Sequence, residues 1–169
     1  MRNLAEFMLR NGYSAYVIQL RLHSGCWYDN YVPYIFTHEE IAEMMKQSDT
    51  FQSHICSPNR KYMVPLVFRM LYSCGLRSSE ALNLDVKDVD VENGVLTIRN
   101  AKYDKDRFVP MSESLTNRCR MYLKQVHHES SPDATFFPNV NGNHFAERAL
   151  YDPFRILLAK SGISHGGKG

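Results

Sequence analysis

The sequence of 169 residues has little of what marks a specialised class. It has almost no net charge: 20 Lys plus Arg against 18 Asp plus Glu leave a formal +2. Nucleic-acid binding therefore cannot be read from total charge and has to rest on placement. Its four cysteines, Cys26, Cys56, Cys74 and Cys119, form no C-x-x-C pair and have no histidine at finger spacing. That argues against a structural zinc site and against a disulfide framework. No long apolar run is present. Residues 1–20 carry Arg2, Glu6, Arg10 and Asn11, so neither a signal peptide nor a membrane anchor is expected there. Repeats and low-complexity tracts are also missing. What remains is ordinary globular composition, 44% hydrophobic and 22% charged, in a length that allows one domain plus a helical fragment. The expectation is a reduced, cytoplasmic protein without a membrane partner.

Local patterns outline the elements. Leu4, Phe7 and Met8 fall on one helical face that Asn11-Gly12 ends. Residues 13–36 keep no period and read as a linker. Thr37-His38-Glu39-Glu40 is a capping box ahead of the stripe Ile41, Met44, Met45. Ser57-Pro58 is positioned to open a helix that reaches Gly75, with Pro65 either kinking it or delaying its regular part to Met63. A short helix is expected from Ser78 to Leu82. The period then becomes two, with strands at residues 89–91, 95–99 and 108–109 around the turn Glu92-Asn93-Gly94 and a polar loop at 100–106, an antiparallel meander. Ser112 caps a helix carrying Leu115, Cys119, Tyr122, Leu123 and Val126, and a last helix with Phe154, Leu157 and Leu158 closes on Gly162. The tail from Ser164 has no means of ordering itself.

Charge is uneven along the chain. Residues 77–92 hold five acids against Arg77 and Lys87, whereas residues 100–124 hold six bases against three acids. Lys102, Lys105 and Arg107 alternate with Tyr103, Asp104 and Asp106 near a hairpin tip. This is either a solvated tip with neutralising acids or a set of side chains that reach a phosphate. In Cys74-Gly75-Leu76-Arg77-Ser78-Ser79-Glu80, Gly75 permits the positive φ that ends one helix, and Arg77 leaves the chain at the mouth of the next. An arginine there suits a phosphate, because its planar fork grips two oxygens and never loses its proton. The bland alternative is a surface arginine on helix carbonyls, with Glu80 only a helix-start carboxylate.

Taken together, these segments resemble the catalytic domain of the tyrosine recombinases, the phage integrase family. Cys74-Gly75-Leu76-Arg77-Ser78-Ser79-Glu80-Ala81-Leu82-Asn83-Leu84 is similar to the family's first arginine box. Asn100-Ala101-Lys102-Tyr103-Asp104-Lys105-Asp106-Arg107-Phe108-Val109-Pro110 is similar to its lysine hairpin. Phe136-Phe137-Pro138 and the helix from Phe154-Arg155 to Gly162-Ile163 match the stretch that precedes its second box. The resemblance implies an α+β fold, mostly helical with a small three-stranded antiparallel sheet. Residues 1–34 would be the end of a DNA-clamping domain plus linker, and residues 35–169 the N-terminal portion of the catalytic domain. It further implies Arg77 and Lys102 as catalytic groups, Glu80 as the carboxylate behind Arg77, and Lys105 and Arg107 on backbone phosphates. Double-stranded DNA and further recombinase protomers would be the partners, with no metal ion or cofactor.

The same resemblance exposes a deficit: the family's His-x-x-Arg box, a further His or Trp, and the tyrosine nucleophile have no counterpart. His144-Phe145-Ala146-Glu147-Arg148 has one residue too many between His and Arg, and Tyr151 does not stand in the nucleophile's context. The reaction implied is attack of a tyrosine oxygen on a DNA phosphodiester, with two arginines on the nonbridging oxygens and a lysine protonating the 5′-oxygen. With one arginine, one acid and no nucleophile, the 169-residue chain is expected to be inactive by itself and to expose apolar surface that further helices cover. The alternative function is a non-catalytic DNA-binding or regulatory fragment of a mobile-element integrase, and an unrelated α+β interaction domain is the remaining reading.

Overall fold

In a computed structural model, the structure describes residues 2–14, 16, 34–101, 105–127 and 130–164. Lys102, Cys26, most of the expected linker and the tail from residue 165 lie outside the described residues. The chain divides into two units, Met1–Ile35 and Phe36–Gly169. In the first, helix α1 (Arg2–Arg10) is closed by the turn at Asn11-Gly12, where the Asn11 side-chain amide donates to the Phe7 carbonyl at 2.8 Å.

The second unit opens with α2 (His38–Ser48). Its capping box forms as the sequence predicts: the Glu40 amide donates to the Thr37 hydroxyl at 3.2 Å, and the Thr37 amide to the Glu40 carboxylate at 2.9 Å. Helix α3 (Arg60–Cys74) starts later than the Ser57-Pro58 pattern suggests. Ser57 does not cap it; its backbone pairs with that of His54, and Asn59 takes the boundary position. The helix passes through Pro65, so its regular part is not delayed to Met63. Burial outweighs the lost hydrogen bond, since Met63, Val64, Leu66, Val67 and Met70 are all buried. Gly75 ends α3 at φ 61° and ψ 34°, and α4 (Ser78–Leu82) follows after two residues.

The sheet has the order β1 (Val89–Asp90), β2 (Val95–Ala101), β3 (Lys105–Pro110), all antiparallel. Asp90 Oδ1 accepts from the Glu92 and Asn93 amides at 3.0 and 2.9 Å, and Gly94 completes this turn at φ 67°. Strands β2 and β3 run further into the polar loop than the hydrophobic pattern predicts, with the register shifting between Ile98 and Ala101. Period two survives in the burial: Leu96 and Ile98 face the core, and Phe108 is 76% exposed on the opposite face. Because Ile98 pairs with Arg107, the Arg107 side chain shares the inward face.

Helix α5 (Glu113–Val126) is capped by the Ser112 hydroxyl, which accepts from the Leu115 amide at 3.3 Å. It packs on α3. Tyr122 meets Phe136 and Phe137 at ring separations of 5.1 and 5.3 Å, and both phenylalanines are fully buried. His127 stacks on Phe136, and its Nε2 lies 2.7 Å from the Phe136 carbonyl. A 3-10 turn at Glu147–Leu150 leads into α6 (Tyr151–Lys160), whose Leu157 and Leu158 complete the core. No described helix is long and apolar enough to cross a membrane.

Candidate functional site

The chain turn between α3 and α4 presents Arg77. Gly75 takes the left-handed conformation, Leu76 is buried, and Arg77 then returns to extended backbone at φ −72° and ψ 154°. Its amide donates to Glu80 Oε2 at 2.8 Å and its Nη1 to Glu80 Oε1 at 2.7 Å, while the side chain stays 59% exposed. Arg77 is thus fixed at one corner of its guanidinium and open at the rest.

Glu80 has a second partner that the sequence pattern did not suggest. Arg107, on β3, donates Nη1 to Oε1 at 2.9 Å and Nη2 to Oε2 at 2.8 Å. The carboxylate therefore accepts four hydrogen bonds from two arginines, and its side chain is only 8% exposed. Burial pushes the Glu80 carboxyl up; the Arg107 fork, then the Arg77 amide and guanidinium, outweigh it and hold the group below the ordinary value. The fork of Arg107, expected on backbone phosphates, is spent on Glu80. What identifies it in hindsight is register: an arginine on the inward face, opposite Ile98, needs an acid.

Of the other expected site residues, Lys105 opens β3 by its backbone, and Lys102 lies outside the described residues between the ends of β2 and β3. On α5, Arg120 binds the Val91 carbonyl at 2.7 Å and so braces the end of β1. Arg99 donates Nε to the buried Asp88 at 2.6 Å. His144 sits 3.0 Å through Nδ1 from the Leu82 carbonyl, tied to the end of α4. Tyr151 is half exposed and lines, with Phe36, Leu71 and Phe154, an apolar groove of about 840 Å³ that reaches Ser78, the residue after Arg77.

Neither Cys119 nor Cys74 is poised as a nucleophile. Burial holds the Cys119 thiol up to about 12, and burial likewise raises Cys74. Among the described residues no group of His, Cys, Asp and Glu side chains is arranged to hold a metal ion.

The architecture has counterparts in known proteins. The XerA recombinase structure superposes with a TM-score of 0.65 at 21% identity, over 80% of this chain and 46% of that one. The structure of XerH recombinase bound to difH substrate gives 0.67 at 22% identity, over 94% of this chain and 44% of that one. In sequence, the tyrosine recombinase XerA of Thermococcus kodakarensis is 34% identical over 99 residues, 59% of this chain and 32% of that protein. Tyrosine recombinase XerC of Chlamydia caviae is 29% identical over 136 residues, 79% of this chain and 41% of its own length. The chain thus spans less than half the length of these relatives. The pattern of the phage integrase family matches residues 35–167, which include the Arg77 turn, the lysine hairpin and α6, and the chain belongs to that family, the tyrosine recombinases.

Proposed function

We propose that this chain takes part in site-specific recombination of duplex DNA, supplying the first arginine and the lysine of a tyrosine recombinase active site. The observation that carries the reading is Arg77: a guanidinium anchored at Nη1 by a buried carboxylate and otherwise open to solvent is preorganised for a phosphate. In the reaction, a tyrosine oxygen forms a bond to phosphorus while the bond from phosphorus to the 5′-oxygen breaks. Arg77 would hold a nonbridging oxygen throughout, and Lys102 would give its proton to the departing 5′-oxygen. The phosphotyrosyl bond conserves the energy for rejoining.

Arg107 enters this reading as a positioning residue, since it touches Glu80 and Glu80 touches Arg77. Lys105 is assigned to a backbone phosphate. The apolar groove beside Ser78 would be covered by the further helices that accompany the nucleophile and second arginine, and the partners would be duplex DNA and further protomers of the same family. A cytoplasmic location fits Cys56, Cys74 and Cys119, all free thiols.

The test is fluorescence anisotropy of a labelled duplex against salt. Binding should weaken with a slope near −0.9 per phosphate neutralised, and Arg77→Ala and Lys105→Ala should each flatten it by about one contact. Salt-independent binding, or no binding at low salt by a folded chain, would remove the proposal.

A further inference from the structure

A cleft of about 360 Å³ lies between α3 and α5, and none of the residues assigned to DNA chemistry lines it. Its walls follow helical spacing. Arg118, Met121, Tyr122 and Gln125 form one face of α5, and Lys61, Tyr62, Pro65 and Leu66 face them from α3.

Three cations stand here, Lys61, Arg118 and Lys124, against one acid, Asp49. That acid is already engaged: Arg69 binds it at 2.8 Å, and Arg118 lies 3.6 Å away. Neither Lys61 nor Lys124 has an acidic partner among the described residues; the Lys61 ammonium instead lies 4.7 Å from the Tyr62 ring centre. The cleft therefore keeps an excess of positive charge above an apolar floor.

One buried side-chain group at this cleft is left unsatisfied. The hydroxyl of Tyr122, a residue 3% exposed, has no hydrogen-bond partner. Buried phenol hydroxyls ordinarily find one. Burial raises the Tyr122 pKa, so the group stays a hydroxyl and can donate. Pro65 has no N–H, which leaves the Lys61 carbonyl four residues earlier without its helical donor. The cleft thus offers cations, a donor, an acceptor and a flat apolar wall.

The geometry points to this cleft as a binding site for a phosphate monoester of a nucleoside. The dianionic phosphate is matched by Lys61, Arg118 and Lys124 with the Tyr122 hydroxyl as a further donor, the base by Tyr62 and Met121, and a sugar hydroxyl by the Lys61 carbonyl, which lacks its i+4 helical donor. A volume near the lower end of the ordinary small-ligand range, roughly 300–1,000 Å³, suits one nucleotide and is too small for a helix or a folded partner. The monoester has two sources, a free nucleotide or the phosphorylated end of a DNA strand.

The experiment titrates the full 169-residue chain with 5′-AMP, adenosine, inorganic phosphate and a 5′-phosphorylated pentanucleotide by calorimetry. Saturable binding of AMP is expected, with adenosine and phosphate each weaker by about tenfold or more, since each forfeits one half of the site. The pentanucleotide separates the sources: tighter binding than AMP assigns the site to a strand end, equal or weaker binding to the free nucleotide. Lys61→Gln with Lys124→Gln should weaken AMP about tenfold or more. Tyr122→Phe, which keeps the ring and its packing, should weaken AMP while melting no lower than the parent chain. No saturation by AMP, binding of adenosine as tight as AMP, or an unchanged affinity in both variants would overturn the assignment.

Discussion

Arg107 on β3 and Glu80 on α4 form a forked ion pair, with Nη1 on Oε1 at 2.9 Å and Nη2 on Oε2 at 2.8 Å. The pair joins the lysine hairpin to the helix that orients Arg77, so two segments 27 residues apart in sequence are locked into one unit. The guanidinium that does this work is 38% exposed and the carboxylate 8%, so the penalty for separating them falls mainly on Glu80.

Arg107→Ala should destabilise the chain by about 2 kcal/mol, less than the 3–5 expected for a fully buried pair because the arginine is partly solvated. Arg107→Lys should recover less than half of this, since an ammonium cannot make the fork. Replacing Glu80 by Gln in the Arg107→Ala background should restore stability relative to Arg107→Ala alone, because the stranded charge is gone. Urea unfolding of the four chains at neutral pH checks all three expectations.

Stability should also fall with acidity in a window set by His127. Burial lowers its pKa from 6.5, and the bond to the Phe136 carbonyl only partly opposes this. Nε2 donates to that carbonyl, and in the neutral ring Nδ1 accepts from the Ser130 hydroxyl at 3.0 Å. The unfolded chain then binds the proton more readily than the folded one. The contribution is complete above about 6.5 and is lost as pH falls through the depressed folded value, at no more than about 1.4 kcal/mol per pH unit. Glu80, also depressed, adds its own loss below its ordinary value of 4.5. Unfolding midpoints at pH 7.5, 6.5 and 5.5 should show the first decline, and His127→Gln should flatten it.

Gly75→Ala tests the turn that delivers Arg77. Nothing lies within 4 Å of an added Cβ, so the cost is purely that of a left-handed backbone at φ 61°, about 1 kcal/mol. A larger loss in urea unfolding would mean that the turn is constrained by something besides its dihedral angles.

Much of this architecture is legible in the sequence because it rests on local rules. The Thr37 and Ser112 caps, the Gly75 stop and the alternation through Leu96 and Ile98 each need only a few neighbouring residues. What escaped depends on distant partners. The exception is local: α3 starts at Arg60 rather than at Ser57 because Ser57 pairs with His54 three residues earlier. Strands β2 and β3 continue to Ala101 and from Lys105 because ladder hydrogen bonds hold polar residues that propensity assigns to a loop. Cross-strand register turns Arg107 inward to Glu80, a partner that the charge alternation of the hairpin does not name. Arg120 likewise braces the Val91 carbonyl, a contact with no local signature.

On the proposed reading, this chain grips DNA through Arg77 and its hairpin, and none of its tyrosines acts as the nucleophile. Labelled duplex with a nick is incubated with the 169-residue chain, and the mixture is divided between a native and a denaturing gel. The account predicts a salt-sensitive shifted band on the native gel, weakened by Arg77→Ala, and free DNA alone on the denaturing gel. A protein–DNA adduct that survives denaturation would contradict it, and its loss in Tyr151→Phe would name the nucleophile.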